Sequence, residues 1–195
     1  MTSPDPADPP ARSVHLPTSA ARWLSVVTSG EHDEQISTEH LLLVPLRASD
    51  AEELAGLLED PLVRDWLGAD DVSGLRDRFS GWESRLSSDA TELWLNWIVR
   101  VGAGRRAAAW VQATVHDETA TVAYCVLQSE RRARVATASL RATVDWLHAR
   151  LGLVSFTADI DGANRASQRV AQSAGFTPTE RRAGEEIVWS LDLQP

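Results

Sequence analysis

Asn164 and Ser167 stand three residues apart at the head of the segment Asp161–Phe176, which reads DGANRASQRVAQSAGF. Asp161 and Gly162 are turn residues, Asn164 suits a helix N-cap and Gly175 a helix stop. A carboxamide at the mouth of a helix, with a hydroxyl one turn further on, aims two hydrogen-bonding groups at whatever lies beyond the helix end. A second stretch, Arg131-Arg132-Ala133-Arg134-Val135-Ala136-Thr137, leads into another predicted helix. Guanidinium groups beside a helix N-terminus are chemistry for a phosphate, which gains charge-assisted hydrogen bonds, backbone N–H donors and the helix dipole. The same arginines also suit a plain solvated basic turn. Two residues could move protons. Tyr124, the only tyrosine, sits in an apolar run with Cys125, and His116 ends a strand beside a turn. Cys125 reads as a buried structural thiol and His116 as a surface histidine.

These residues belong to a chain of 195 residues, enough for one substantial core. A formal net charge of −9 argues against a nucleic-acid surface, which needs clustered excess Lys and Arg, and is compatible with a basic substrate such as an amine. The single cysteine excludes an internal disulfide and a cysteine-rich metal site, and no metal is expected. No apolar run reaches the roughly 18 residues of a membrane span. The opening Met1-Thr2-Ser3-Pro4-Asp5-Pro6 lacks the charge pattern of a signal peptide, so a cytosolic protein without a membrane partner is expected.

Residues 1–37, rich in Pro, Ser, Asp and Glu, read as a mobile tail in which Trp23 is a local packing anchor. Beyond them the patterns predict a strand over Leu41–Leu46 and a helix over Ala51–Leu58. A short helix from Pro61 should end at Gly68, and an amphipathic helix should run from Val72 to Leu86. Strands follow over Leu95–Val101, Ala107–His116 and Thr121–Leu127, then a long helix over Arg134–Arg150. A strand over Val154–Ile160, the helix headed by Asn164, and strands over Phe176–Glu180 and Glu186–Leu193 complete a mixed α/β order.

Set in that order, Asp161–Phe176 resembles the second acyl-CoA-binding motif of the GCN5-related N-acetyltransferase (GNAT) family, in the Asn-x-x-Ser form of its ribosomal-protein N-acetyltransferase-like branch. Thr38–Leu46 is similar to the family's first strand and Glu59–Val63 to the segment joining its first helices; the resemblance covers Thr38–Leu193. The loop before the long helix is similar to the family's Gln/Arg-x-x-Gly-x-Gly/Ala at Arg131 and Ala136. It departs from that pattern at Arg134, where the central Gly is expected, and at Arg132, where a second Gly is frequent.

The resemblance implies a single domain over 38–195, with a central, mostly antiparallel twisted sheet flanked by helices. It implies acetyl-CoA as co-substrate and direct attack by a primary amine, either a protein N-terminus or a small amine. Arg131, Arg132, Arg134, Val135, Ala136 and Thr137 would hold the pyrophosphate and Asn164 the pantetheine arm. Backbone N–H groups near Val126 and Leu127 would polarise the thioester carbonyl. Ser167 would serve the departing thiolate, and Tyr124 is the other candidate catalytic group. Thr121 and Ala171 stand where many relatives carry a Glu and a Tyr, so no general base is assigned and water would take the proton. Trp66 and Trp82 would border the acceptor cleft. The altered loop leaves a second reading open, a non-catalytic binding or scaffolding domain of the same fold. Oligomeric state is also open; an apolar patch on the last strands would mark a dimer.

Overall fold

A computed structural model describes residues 23, 34–87, 91–131 and 134–194. Its strands are β1 (Ile36–Ser37), β2 (Leu41–Pro45), β3 (Leu93–Val101), β4 (Arg106–His116), β5 (Thr119–Val126), β6 (Ser155–Ile160), β7 (Thr177–Ala183) and β8 (Glu186–Asp192). Its helices are α1 (Pro61–Leu67), α2 (Val72–Trp82), α3 (Val135–Leu151) and α4 (Arg165–Ala174). The strands form one sheet in the order β1-β2-β3-β4-β5-β6-β8-β7. Every pairing is antiparallel except β5 with β6, which is the mixed, mostly antiparallel fold expected.

Side chains alternate across the pleat, so each central strand feeds two cores. On one face Leu95, Trp97, Val111 and Phe156 pack with Leu140, Val144 and Leu147 of α3 and Ala171 of α4. On the other, Ile98 and Trp110 pack with Leu67 of α1 and with Leu75, Phe79 and Trp82 of α2. Trp23 is buried in the first core and donates from its indole N–H to the Asp117 carbonyl (3.2 Å), as a packing anchor would. Most of the segment expected to be a tail lies outside the described residues. The sheet nevertheless begins before residue 38, because Ile36–Ser37 pairs with Leu42–Leu43. Glu34 is anchored there too: its carbonyl accepts from the buried Trp97 indole (2.7 Å), and its carboxylate meets Arg85 at 2.7 Å.

Two helices differ from the sequence patterns. Ala51–Leu58 is not an α-helix but part of two 3-10 turns, Ala48–Ala51 and Ala55–Glu59. Asp50 and Glu53 both ion-pair with Arg100 of β3, which draws this segment onto the sheet. A Cβ on Gly56 would stand 3.2 Å from Leu127, so the turn sits close against β5. The helix from Val72 stops at Trp82 rather than Leu86. Leu86 instead bridges to Leu93, and Trp94 donates to the Arg85 carbonyl (2.8 Å), starting the hairpin that leads into β3.

The feature that positions the site is the β5–β6 pair. These strands pair only over Thr119–Thr121 with Ser155–Thr157, then part, and β5 runs on to Val126 while β6 runs on to Ile160. The hydroxyls of Thr121 and Thr157 meet at 2.9 Å where the strands separate. Thr157 is 9% exposed, so Thr121→Val strands a buried hydroxyl and is expected to lower stability by about 1–2 kcal/mol. Adding Thr157→Val should recover most of that loss. Urea unfolding of both singles and the double variant checks it, and simply additive losses would argue against a bond at this point.

Candidate active site

The wedge between β5 and β6 opens into a cleft of about 530 Å³. Two helix N-termini stand at its mouth, because α3 follows β5 and α4 follows β6. Of the residues singled out from the sequence, Tyr124, Val126, Arg131, Arg134, Val135, Ala136, Thr137, Asn164 and Ser167 all line it. Arg132 lies outside the described residues. Leu127 does not line the cleft, which corrects its expected role: its N–H donates to the Ala108 carbonyl (2.9 Å) on the opposite edge. In an antiparallel ladder consecutive residues turn their N–H groups to opposite edges. With Leu127 bonded to β4, Val126 and Tyr124 therefore turn theirs toward the cleft.

At the first helix, Arg134 is the N-cap of α3 and no side chain caps the helix among the described residues. Arg134 takes φ 58 and ψ 11, the left-handed conformation that glycine adopts without strain. The backbone turn therefore forms with an arginine in place, and its side chain remains exposed. Val135, Ala136 and Thr137 begin a helix of 17 residues whose first N–H groups and dipole favour an anion. Arg131 pairs with Asp60 at 3.0 Å, tying this loop to the N-cap of α1.

At the second helix, Asn164 is the N-cap, its Oδ1 accepting from the Ser167 N–H at 3.0 Å. That leaves its Nδ2 to donate elsewhere. Gly175 ends the helix with φ 103, and Arg141 of α3 donates to the Ser173 carbonyl, locking the two helices together. Tyr124 spans the wedge: its hydroxyl donates to the Ser167 carbonyl at 3.0 Å. Burial pushes its phenol up to about 12, against which the hydrogen bond to Ser167 works. The geometry commits the Tyr124 hydroxyl to the Ser167 carbonyl, tying β5 to the first turn of α4.

Sequence patterns missed several cleft residues. Asp60 and Val63 arrive from the α1 side, and Glu130 comes from the 3-10 turn after β5. Asp60 and Val63 lie in the segment Glu59–Val63 that resembles the join of the family's first helices, but nothing local reveals that α1 faces this cleft. Neither carboxylate is poised as a base. Glu130 is held below its usual range by hydrogen bonds from Arg106 (2.9 and 3.0 Å), and Asp60 is paired with Arg131. Cys125 also lines the cleft, and burial pushes its thiol up to about 11, away from nucleophilic use. His116 is on the exposed end of β4 beside Asp117, away from the cleft, as expected of a surface histidine.

A splayed parallel strand pair with two helix N-termini at its mouth offers a cleft whose main-chain N–H donors and helix dipoles suit an anion. A family model described as an acetyltransferase (GNAT) domain matches residues 40–177. The chain belongs to the GNAT family of acetyl-CoA-dependent N-acetyltransferases. The acetyltransferase (GNAT family) from Bacillus anthracis superposes with a TM-score of 0.66 at 15% identity, covering 81% of this chain and 98% of its own. For the Salmonella typhimurium acetyl transferase that modifies the N-terminal serine of 50S ribosomal subunit protein L7/L12, the values are 0.64, 15%, 82% and 99%. For Mycobacterium smegmatis RimJ in complex with CoA-disulfide, they are 0.62, 16%, 78% and 81%. At these identities the likeness establishes the fold. A search of curated proteins returned no match.

The tyrosine makes a direct check. Because it is the only one in the chain, tyrosinate absorbance reports it alone, with an expected midpoint near 12 against the ordinary 10.0. Its stability contribution is whole below the unfolded value and is lost as pH rises toward the folded one, since the unfolded chain ionises first. An ordinary midpoint in the folded protein would show that the ring is not buried against Ser167. Separately, Arg134→Gly should relieve the left-handed residue and raise stability by about 1 kcal/mol, measured by urea unfolding.

Proposed function

We propose that the protein transfers the acetyl group of acetyl-CoA to a primary amine by direct attack, as a member of the ribosomal-protein N-acetyltransferase-like branch, with a protein N-terminus as the favoured acceptor. The observation that carries this reading is the convergence of an uncapped α3, the Asn164–Ser167 pair of α4 and the cleft-facing N–H groups of β5 on one space. The acceptor class is supported by the Salmonella relative, which modifies an N-terminal serine.

Acetyl-CoA supplies the activated acetyl thioester. The N–H groups of Val135, Ala136 and Thr137, with Arg131 and Arg134 beside them, bind the pyrophosphate. Asn164 Nδ2 donates to an amide carbonyl of the pantetheine arm while Oδ1 keeps the helix capped. The Val126 N–H donates to the thioester carbonyl oxygen, where negative charge grows during attack. Ser167 Oγ donates a hydrogen bond to the sulfur as the C–S bond breaks and the C–N bond forms. Thr121 is engaged by Thr157 and the cleft carboxylates are ion-paired, so the amine gives its proton to water and the thiolate takes one from water.

That assignment fixes a pH profile. Only the unprotonated amine attacks, so kcat/KM for a peptide acceptor should rise with pH and level off near the α-amine pKa of about 8. A midpoint that stays put when the acceptor's own pKa is changed would reveal a base on the protein. Binding offers a cleaner test through Asn164→Asp, which keeps an N-cap oxygen but removes the NH₂ donor. Titration calorimetry should show acetyl-CoA binding weakened about tenfold, roughly 1.4 kcal/mol, with thermal stability unchanged. No detectable binding by the unaltered protein at millimolar acetyl-CoA would sink the reading.

A further inference from the structure

With α3 and α4 packed on one face of the sheet, the opposite face at the wedge is the side from which an amine can approach the acetyl carbon. There the strands carry, in register, Asn96 on β3, Gln112 on β4 and Ala123 on β5. Gln112 follows Trp110 by two residues and so shares its face, where the Trp66 ring packs against Trp110 in a tilted contact with centroids 5.1 Å apart. Gln112 is 8% exposed, and its carboxamide has no hydrogen-bond partner among the described residues. Its neighbour Asn96 accepts from the Trp110 indole (3.1 Å), and the buried Asn96 Nδ2 has no partner.

The Asn96 Nδ2 is thus a buried donor left without a partner, and it stands beside the Gln112 carboxamide. Ala123, beside Gln112, carries only a methyl group. We infer that Gln112 is the acceptor-binding residue, its Oε1 accepting an N–H of the attacking amine; this rests on the acetyltransferase reading above. The residue type matters. A carboxylate at this position would stabilise the ammonium form and raise the acceptor's pKa. A neutral amide oxygen holds an N–H of the free amine and leaves its lone pair directed at the carbonyl carbon. The C–N bond then forms as the C–S bond breaks, with the proton passing to water as before.

The test uses the full chain saturated with CoA, which cannot turn over, and L-serinamide as a probe with a free α-amine. The Gln112 side-chain NH₂ signals in a ¹⁵N–¹H spectrum are assigned by their absence from Gln112→Leu or, if that variant does not fold, from Gln112→Glu. Serinamide should shift these signals and leave those of Gln35, at the far edge of the sheet, in place. Unmoved Gln112 signals in the CoA-bound protein would overturn the inference. Failure of CoA itself to bind would remove the acetyltransferase reading, and the inference with it. Kinetics add a readout that a packing role would not move. Gln112→Leu should raise KM for serinamide about tenfold with KM for acetyl-CoA unchanged, and Gln112→Glu should move the pH–rate midpoint upward. A change in the acetyl-CoA KM instead would assign Gln112 to the fold alone.

Discussion

Two parallel strands that pair for three residues and then separate are the constraint on which this molecule is organised. A parallel ladder needs a crossover, and the β5–α3–β6 unit provides it. Because α3 leaves the end of β5 and α4 leaves the end of β6, separating the strands carries both helix N-termini to the lips of the same opening. The unpaired stretch of β5 exposes a main-chain edge that would otherwise be paired with β6. The Thr121–Thr157 hydroxyl contact holds the inner end of the opening and the Tyr124–Ser167 bond spans it further out. Pairing the strands to their ends would remove the cleft, whatever residues stood around it.

Energetic asymmetry follows from that geometry. The two cores on either side of the sheet are closed, with Trp97, Phe79 and Phe156 fully buried. At the opening the backbone is strained at the left-handed Arg134, while Arg85, Arg105 and Asp117 take the same conformation in turns elsewhere, and the buried polar atoms without partners, on Asn96, Thr143 and Trp189, lie away from the cleft lining. Exposed large apolar side chains among the described residues are Leu62 and Trp66, both on α1, and none lies on the last strands where a dimer patch was sought.

The sequence revealed those parts of the site that are encoded locally. Asn164, Ser167 and Gly175 act within one helix, so cap, hydroxyl and stop could be read from spacing alone. The same holds for most strands and for α3, whose hydrophobic periods are long. Properties that depend on register were hidden. Nothing in Val126-Leu127 says which N–H faces the cleft, since that is set by pairing with Ala108 on another strand. Ala51–Leu58 has a helical period, but its contacts to Arg100 and Leu127 override it. Gln112 looks like an ordinary polar residue in a strand until Asn96 and Ala123 are placed beside it. Arg134 seemed to break a glycine pattern, whereas the backbone adopts the glycine conformation with arginine in place.

That last feature has a kinetic side. An anionic ligand approaching a chain of net charge −9 meets long-range repulsion everywhere except near a local concentration of positive charge. Arg134 projects from the loop while its backbone already holds the left-handed turn, so charge and geometry are both in place before encounter. Such preorganisation favours fast capture without loop rearrangement. On the acetyl-CoA reading proposed above, a glycine there would keep the turn and lose the steering, so this arginine would set how quickly the site fills, and how strongly salt slows it, more than its shape.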